Sequence, residues 1–293
     1  MSTLWGGIDA GGTRFVCAIG TSPTDLRDVI TFPTTTPEET IQKAIKFFRS
    51  NGDQIEALGI GSFGPLSLDS SQSDYGHITS TPKQGWQNTD ILGIFRESLR
   101  IPVALDTDVN AALLSEHRWG NAKGLDQCVY ITVGTGIGGG VIANGRLMYG
   151  LIHPEIGHIR VPIDQSIDTY EGSCPYHGDC LEGLASGFAI QQRMSLKNEK
   201  ELSDEMIWEL EAGYIAYGLA TLTYVLSPQR IIIGGGVMNQ TGLLERIRDK
   251  TMMLLNNYAV SEEITKTTES YIVSPGLADK SGVLGAILMA RSL

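Results

Sequence analysis

Two stretches of this chain follow one pattern: a short apolar run, a glycine-rich turn and a second apolar run. The first is LWGGIDAGGTRFVCAIG at 4–20, and the second is QCVYITVGTGIGGGVIANG at 127–145. Short apolar runs bounded by glycine predict strands, and glycine allows the tight turn between them. Because the pattern begins again later in the chain, it indicates two units that start in the same way.

Each predicted hairpin is followed by alternating helices and strands. Helical spacing at 37–52, 108–120 and 204–228 alternates with apolar runs at 55–63, 101–107 and 230–236. This alternation is typical of α/β folds. We expect two α/β domains that face a cleft. The alternative is one large α/β sheet in which the two hairpins are alike by coincidence.

Composition narrows the class of protein. Of 293 residues, 42% are hydrophobic and 19% are charged, which predicts a globular chain with a sizeable core. No run approaches the ~18 apolar residues of a membrane helix, and no secretory signal is visible, so we expect a cytoplasmic protein with no membrane partner. The net charge is −11 and the basic residues are scattered, which argues against nucleic-acid binding.

The glycine turns are candidate phosphate sites. Neither has the spacing of a P-loop, and GTGIGG at 134–139 leads into another apolar run rather than the helix of a dinucleotide site. Glycine hairpins expose backbone N–H groups, and Thr13 and Thr135 add hydroxyl donors. For either loop alone, a plain hairpin turn is the favoured interpretation. The pair, with GGGV at 234–237 as a third loop, favours binding of nucleotide phosphates and nucleoside.

Three aspartates lie at the ends of predicted strands. Asp9 precedes the first glycine turn, where its carboxylate can hold Mg²⁺ through waters or stabilise the hairpin as an Asx-turn. Asp106 and Asp108 lie at a strand-to-helix junction, where side chains of α/β folds reach the ligand. Asp108 can act as the base of a phosphoryl transfer, as the N-cap of the following helix, or as both.

The segment GSCPYHGDC at 172–180 concentrates scarce residues. Only four cysteines are present, at 17, 128, 174 and 180, and a reducing compartment disfavours a disulfide between the last two. Cys174, His177 and Cys180, with His158 or His153 as a fourth ligand, suit a structural Zn²⁺ site. A turn with free cysteines and a solvent-facing histidine is the alternative.

Taken together, these motifs resemble the bacterial ROK (repressor, open reading frame, kinase) sugar kinases. GIDAGGT, TVGTGIGGG and IIIGGGV look like the family's two phosphate motifs and its adenosine motif, and HPEIGH with CPYHGDCLEGLASG looks like its signature region. SFGPLS, TSTPKQGWQNTDI and DTDVNAALLSE resemble the fructokinase branch. The likeness covers nearly the whole chain.

The resemblance implies a two-lobed, actin-like (ribonuclease H-like) fold with a duplicated βββαβα-type domain. It places residues 1–115 and a C-terminal helix at about 280–293 in one lobe and 116–279 in the other. It also implies a homodimer that uses ATP and Mg²⁺ and carries a structural Zn²⁺.

The resemblance assigns site residues by motif. The expected base is Asp108, and the sugar is expected to contact Gly64, Glu155, His158 and Glu182. The zinc ligands would be His158, Cys174, His177 and Cys180. The expected ATP and phosphate contacts are Asp9, Gly11, Gly12, Thr13, Thr132, Thr135, Gly136, Gly234, Gly235 and Gly236.

The activity expected from this resemblance is ATP-dependent phosphorylation of a hexose, with D-fructose giving fructose 6-phosphate. Many family members have Asn-Asp where this chain has Thr107-Asp108, so mannose, glucose and amino sugars are alternative substrates. A sugar-responsive repressor would need a DNA-binding segment before Asp9, where the sequence has no room for one. A sugar-binding protein without catalysis is disfavoured by the presence of Asp9, the glycine loops and Asp108 together.

Overall fold

A computed structural model describes residues 3–51, 55–196, 202–258, 261–262, 264 and 268–293. The strands are β1 (Leu4–Ala10), β2 (Arg14–Ser22), β3 (Asp25–Pro33), β4 (Ile55–Ser62), β5 (His77–Ile78), β6 (Thr89–Asp90), β7 (Val103–Thr107), β8 (Cys128–Val133), β9 (Ile137–Ala143), β10 (Arg146–Leu147), β11 (Arg230–Gly234) and β12 (Ile272–Val273). The helices are α1 (Pro37–Asn51), α2 (Ile91–Leu99), α3 (Asp108–Trp119), α4 (Leu181–Ala185), α5 (Gly187–Leu196), α6 (Asp204–Leu226), α7 (Leu243–Leu255), α8 (Thr268–Tyr271) and α9 (Ser281–Arg291).

The chain forms two compact units. The first comprises Met1–Gly124, Tyr149–Ile152 and Pro275–Leu293, and the second comprises Leu125–Met148 and His153–Ser274. The predicted helix at 37–52 is confirmed as far as Asn51, and Gly52 lies outside the described residues. The predicted division into one lobe of residues 1–115 with about 280–293 and a second of 116–279 stays a prediction. Within the described residues, no helix is both long and apolar enough to span a bilayer.

The two units have sheets of the same topology. Strands lie in the order β3-β2-β1-β4-β7 in the first unit and β10-β9-β8-β11-β12 in the second. In each, an antiparallel three-stranded meander is extended by two parallel strands. The expectation of a repeated α/β unit is therefore confirmed, and the single-sheet alternative is wrong.

Glycine lets α9 pack directly on the first sheet. A Cβ at Gly59 of β4 would lie 2.7 Å from the carbonyl carbon of Ala286, and one at Gly7 of β1 would lie 2.7 Å from the Val283 oxygen. On the other side of the helix, a Cβ at Gly285 would lie 2.9 Å from Cα of Ala111 in α3. This close packing explains why the C-terminal helix belongs to the first unit.

Candidate active site and metal cluster

The carboxyl ends of three parallel strands bring the predicted acidic residues of the first unit to one edge of its sheet. Asp9 of β1 is in register with Gly61 of β4, which is in register with Asp106 of β7. Phe63 N donates to the Ala10 carbonyl at 2.8 Å, so the turn containing Gly64 starts beside Asp9. Strand ends at one sheet edge are where α/β folds bind ligands.

Asp108 is the first residue of α3 rather than its N-cap. The cap is Thr107, whose Oγ1 accepts a hydrogen bond from Asn110 N at 3.2 Å. Asp108 Oδ1 accepts a hydrogen bond from the neighbouring Val109 N, at 2.9 Å. The interpretation of Asp108 as the cap is therefore wrong, because Thr107 supplies that oxygen, whereas the end of the helix at Gly120 is confirmed.

The environment makes both acidic groups stronger bases than ordinary carboxylates. Burial raises the pKa of Asp108 to about 6, against the lowering effect of backbone hydrogen bonds from Val109 and from Asp108 itself. Burial, followed by the charge of Asp108, raises the pKa of Asp9 to about 7, opposed by Arg14. A catalytic base works best with a pKa near the operating pH, and the shift of Asp108 is in that direction.

Two further residues support this edge: Asp106, which the sequence indicated, and Tyr149, which sequence reasoning missed. Buried Asp106 accepts hydrogen bonds through Oδ1 from Thr107 N at 2.7 Å and from Asn110 Nδ2 at 2.8 Å. Its Oδ2 accepts from the Tyr149 hydroxyl. Asp106 thus fixes the first turn of α3, which carries Asp108. The position of Asp106 at a strand end was a usable signal, whereas nothing local in the sequence indicated Tyr149.

The first glycine loop is held from outside by Thr34. Gly11 N donates to Arg14 O at 3.0 Å, Thr34 Oγ1 donates to Gly11 O at 2.7 Å, and Thr34 N donates to Thr13 O at 2.9 Å.

Gly12 has no structural reason to be glycine. A Cβ there would meet no atom within 4 Å, and its φ lies outside the left-handed region. The absence of a side chain leaves the loop backbone accessible, which is compatible with a phosphate site.

The other two glycine loops lie side by side in the second unit. β8 and β11 are parallel neighbours with Thr132 in register with Gly234, so TVGTG and GGG leave the same edge of the sheet. Gly235 has φ 98°, a conformation that favours glycine, and a Cβ at Gly236 would meet nothing within 4 Å. Thr135, Gly235 and Gly236 are exposed. The prediction that 134–139 leads into a strand is confirmed by β9.

Glu182 connects the second loop to α4. Its Oε2 accepts from Ile137 N at 2.9 Å, and a Cβ at Gly136 would lie 2.5 Å from the same oxygen. Gly134 O accepts from Gly187 N at 2.7 Å, which attaches the loop to the start of α5. The loop is thus fixed by the helices that directly follow Cys180.

Four predicted metal ligands converge in the second unit. The ligand atoms of His158, Cys174, His177 and Cys180 all lie within 4.8 Å of one another. His158 Nδ1 lies 3.7 Å from Cys174 Sγ and 3.5 Å from Cys180 Sγ, and His177 Nδ1 lies 3.6 Å from Cys174 Sγ. The two Nδ1 atoms are 3.3 Å apart. His153 is not part of the cluster.

These separations fit a tetrahedral zinc ion. Zn–S bonds of about 2.3 Å and Zn–N bonds of about 2.1 Å imply S–N separations of about 3.6 Å and N–N separations of about 3.4 Å. The observed distances agree with these values. Both cysteines are free thiols, so the disulfide alternative is wrong.

Glu155 lies between two histidines. Its Oε1 is 3.4 Å from His153 Nδ1, and its Oε2 is 3.9 Å from His158 Nε2. Because His158 turns Nδ1 to the metal cluster, its other ring nitrogen is on the side of Glu155. A carboxylate on the second nitrogen of a metal-binding histidine is a usual way to orient the ring.

Comparison with known proteins agrees with the fold and the motifs. The model of the ROK family matches residues 5–292. A Bacillus subtilis protein named putative fructokinase is 48% identical over 98% of this chain and 95% of its own length. The Zymomonas mobilis fructokinase is 45% identical over 98% of this chain and 96% of its own.

Solved structures give the same result for the fold. A ROK family glucokinase from Streptomyces griseus, in complex with glucose and AMPPNP, is 25% identical with a TM-score of 0.79 and covers 99% of both chains. The ROK hexokinase from Thermus thermophilus is 28% identical with a TM-score of 0.76, over 99% of this chain and 98% of its own. The predicted two-lobed actin-like fold is confirmed by these structures. A match that spans almost every residue, with relatives well above 40% identity, shows that this chain belongs to the ROK family.

Proposed function

We propose that this protein transfers the γ-phosphoryl group of ATP to D-fructose and forms fructose 6-phosphate. The observation that carries the proposal is Asp108, a carboxylate of raised basicity at the sheet edge that also holds Asp9 and the first glycine loop. The fructokinase names of relatives at 45–48% identity support fructose as the substrate.

In this proposal Asp108 accepts the proton of the sugar hydroxyl as that oxygen attacks the γ-phosphorus. The bond from phosphorus to the β,γ-bridging oxygen breaks, and ADP leaves with that oxygen. Phosphoryl transfer requires positioning and charge neutralisation more than covalent participation of the protein. The backbone N–H groups around Gly12, Gly136 and Gly236 bind the nucleotide, with the hydroxyls of Thr13 and Thr135.

Magnesium, bound with the nucleotide, would neutralise phosphate charge. Asp9 fits a role in holding it through waters, because its partly buried carboxylate lies at the end of β1 beside the first glycine loop and burial raises its pKa. Glu155, His158, Glu182 and Gly64 would bind the hexose.

Zinc would hold the sugar-binding loop without taking part in the chemistry. His158 links the cluster to Glu155, and Cys180 directly precedes α4, which carries Glu182. We also infer a homodimer that acts in the cytoplasm without nucleic acid or membrane.

An ADP-release assay over fructose, mannose, glucose and amino sugars tests the proposal. We expect the highest kcat/KM with fructose, and loss of turnover in Asp108→Asn. Asp28→Asn, which makes the same change on the exposed face of β3, is the matched control and should keep wild-type turnover. Absence of ADP release with every hexose would overturn the proposal.

A further inference from the structure

The carboxylate of Asp9 lies against the first turn of α9. A Cβ added at Gly282 would lie 2.5 Å from Cγ of Asp9, closer than real Cβ atoms approach another heavy atom. The φ of Gly282 is outside the left-handed region, so backbone conformation does not require glycine there. Glycine at this position makes room for the carboxylate.

The start of α9 has no freedom to move away from Asp9. Glu116 of α3 is fully buried and accepts hydrogen bonds from Gly276 N at 3.0 Å, Leu277 N at 2.9 Å and Ser281 Oγ at 2.7 Å. One turn further, α9 is in contact with α3 through Gly285. A methyl group at position 282 would therefore displace the short Asp9 side chain rather than the helix.

We propose that Gly282 is a positioning residue for Asp9 and sets where its carboxylate meets the magnesium–nucleotide. The inference rests on the proposed function, since it gives the role of Asp9 a second determinant. Displacement of a catalytic group by about 1 Å can reduce rates about 100-fold. Stability should not suffer, because alanine is a better helix former than glycine.

The test is Gly282→Ala, with Gly213→Ala as the matched control. Gly213 lies in α6, where a Cβ meets nothing within 4 Å, so both variants add one methyl group to a helix. We expect Gly282→Ala to reduce kcat about 10- to 100-fold and to raise the Mg²⁺ concentration for half-maximal rate, with an unchanged urea unfolding midpoint. Gly213→Ala should keep wild-type kinetics. Wild-type kinetics in Gly282→Ala, or a loss that follows its unfolding, would overturn the proposal.

A double-mutant cycle separates action through Asp9 from any other effect. If Gly282 acts through Asp9, Gly282→Ala should cause no further loss in an Asp9→Ala background, because coupled residues are not additive. An equal further loss in that background would overturn the proposal.

Binding of Mg²⁺–ADP, measured by calorimetry, distinguishes this inference from the proposed function. If the wild type phosphorylates no hexose, weaker Mg²⁺–ADP binding by Gly282→Ala would still support the positioning role. Equal affinity of the two proteins, or no binding by the wild type, would contradict it.

Discussion

Among single residues, Asp108 matters most to the proposed reaction, because it is the proposed catalytic base. A base must be unprotonated, and burial sets the pKa of Asp108 to about 6. We therefore expect kcat/KM to be constant above that pH and to fall tenfold per pH unit well below it. Asp108→Asn should lower kcat by about 100- to 10,000-fold, the usual range for removal of a general base.

A pH–rate profile with saturating Mg²⁺ measures this limb. The Asp28→Asn control should reproduce the wild-type profile. An acid limb with a midpoint near pH 4 would show that Asp108 titrates as an ordinary carboxylate, contrary to the account.

The buried carboxylate of Asp9 should lower the stability of the unliganded protein at neutral pH. A pKa raised from 3.8 to about 7 means that the folded state holds the proton more tightly than the unfolded state. The contribution of Asp9 to stability is therefore greatest below pH 4 and falls as the pH rises to 7. Asp9→Asn should remove this loss and stabilise the unliganded protein at pH 8 by up to about 4 kcal/mol, since each pKa unit corresponds to about 1.4 kcal/mol, while activity is lost.

Urea unfolding of both proteins at pH 4 and pH 8 checks this expectation. The stabilisation should be present at pH 8 and small at pH 4. Equal stability of variant and wild type at pH 8 would show that burial does not disfavour the charged form of Asp9.

Among the structural elements, the loop that carries Cys174, His177 and Cys180 should depend on a bound zinc ion for its stability. We expect about one zinc ion per chain in the wild type. Cys174→Ala removes one of four ligands, so the purified variant should contain much less zinc. Cys128→Ala, at a buried cysteine in β8, is the matched control and should retain zinc.

Elemental analysis and thermal unfolding measure the effect, and chelation should lower the wild-type melting temperature. Zinc-free wild-type protein with full activity would contradict the structural role that we assign to the metal.

The sequence determined the elements better than their contacts. The glycine hairpins and the zinc spacing are local patterns, and the structure reproduces the predicted strands and the clustering of Cys174, His177 and Cys180. These features depend on neighbours in the chain, which is why reading the sequence could find them.

The features that sequence reading did not predict are contacts between residues far apart in the chain. Tyr149 reaches Asp106 across 43 positions, and Gly282 meets Asp9 only because α9 packs on β1. The choice of Thr107 over Asp108 as N-cap is a shift of one residue between two good capping side chains, which spacing does not resolve. Fixing such details requires the packed structure.

At the scale of the whole molecule, one buried acid makes stability depend on pH. Glu211 of α6 is fully buried, and neither carboxyl oxygen has a hydrogen-bond partner among the described residues. Burial raises its pKa well above the usual 4.5, opposed by the charge of Arg193. The folded state therefore loses stability as the pH rises above about 4.5, the usual pKa of a glutamate.

Glu211→Gln should flatten this dependence, because an amide does not ionise. We expect a higher unfolding midpoint than wild type at pH 9 and little difference at pH 5. Glu245→Gln, on the exposed face of α7, should follow the wild type at both. A Glu211→Gln curve parallel to wild type from pH 5 to 9 would mean that Glu211 does not titrate in the fold.

The molecule as a whole carries net charge −11, yet it is proposed to bind an anionic nucleotide. Backbone N–H groups of the glycine loops and a bound cation resolve this conflict locally, without a basic surface. The proposed function thus depends on one reaction at these loops, the transfer of the γ-phosphoryl group of ATP.

Direct observation of the product by ³¹P NMR tests that reaction most directly. Wild-type protein with ATP, Mg²⁺ and D-fructose should convert the γ-phosphate signal into that of fructose 6-phosphate, and Asp108→Asn should leave ATP intact over the same time. Release of inorganic phosphate in place of a sugar phosphate, or equal conversion by Asp108→Asn, would contradict the account.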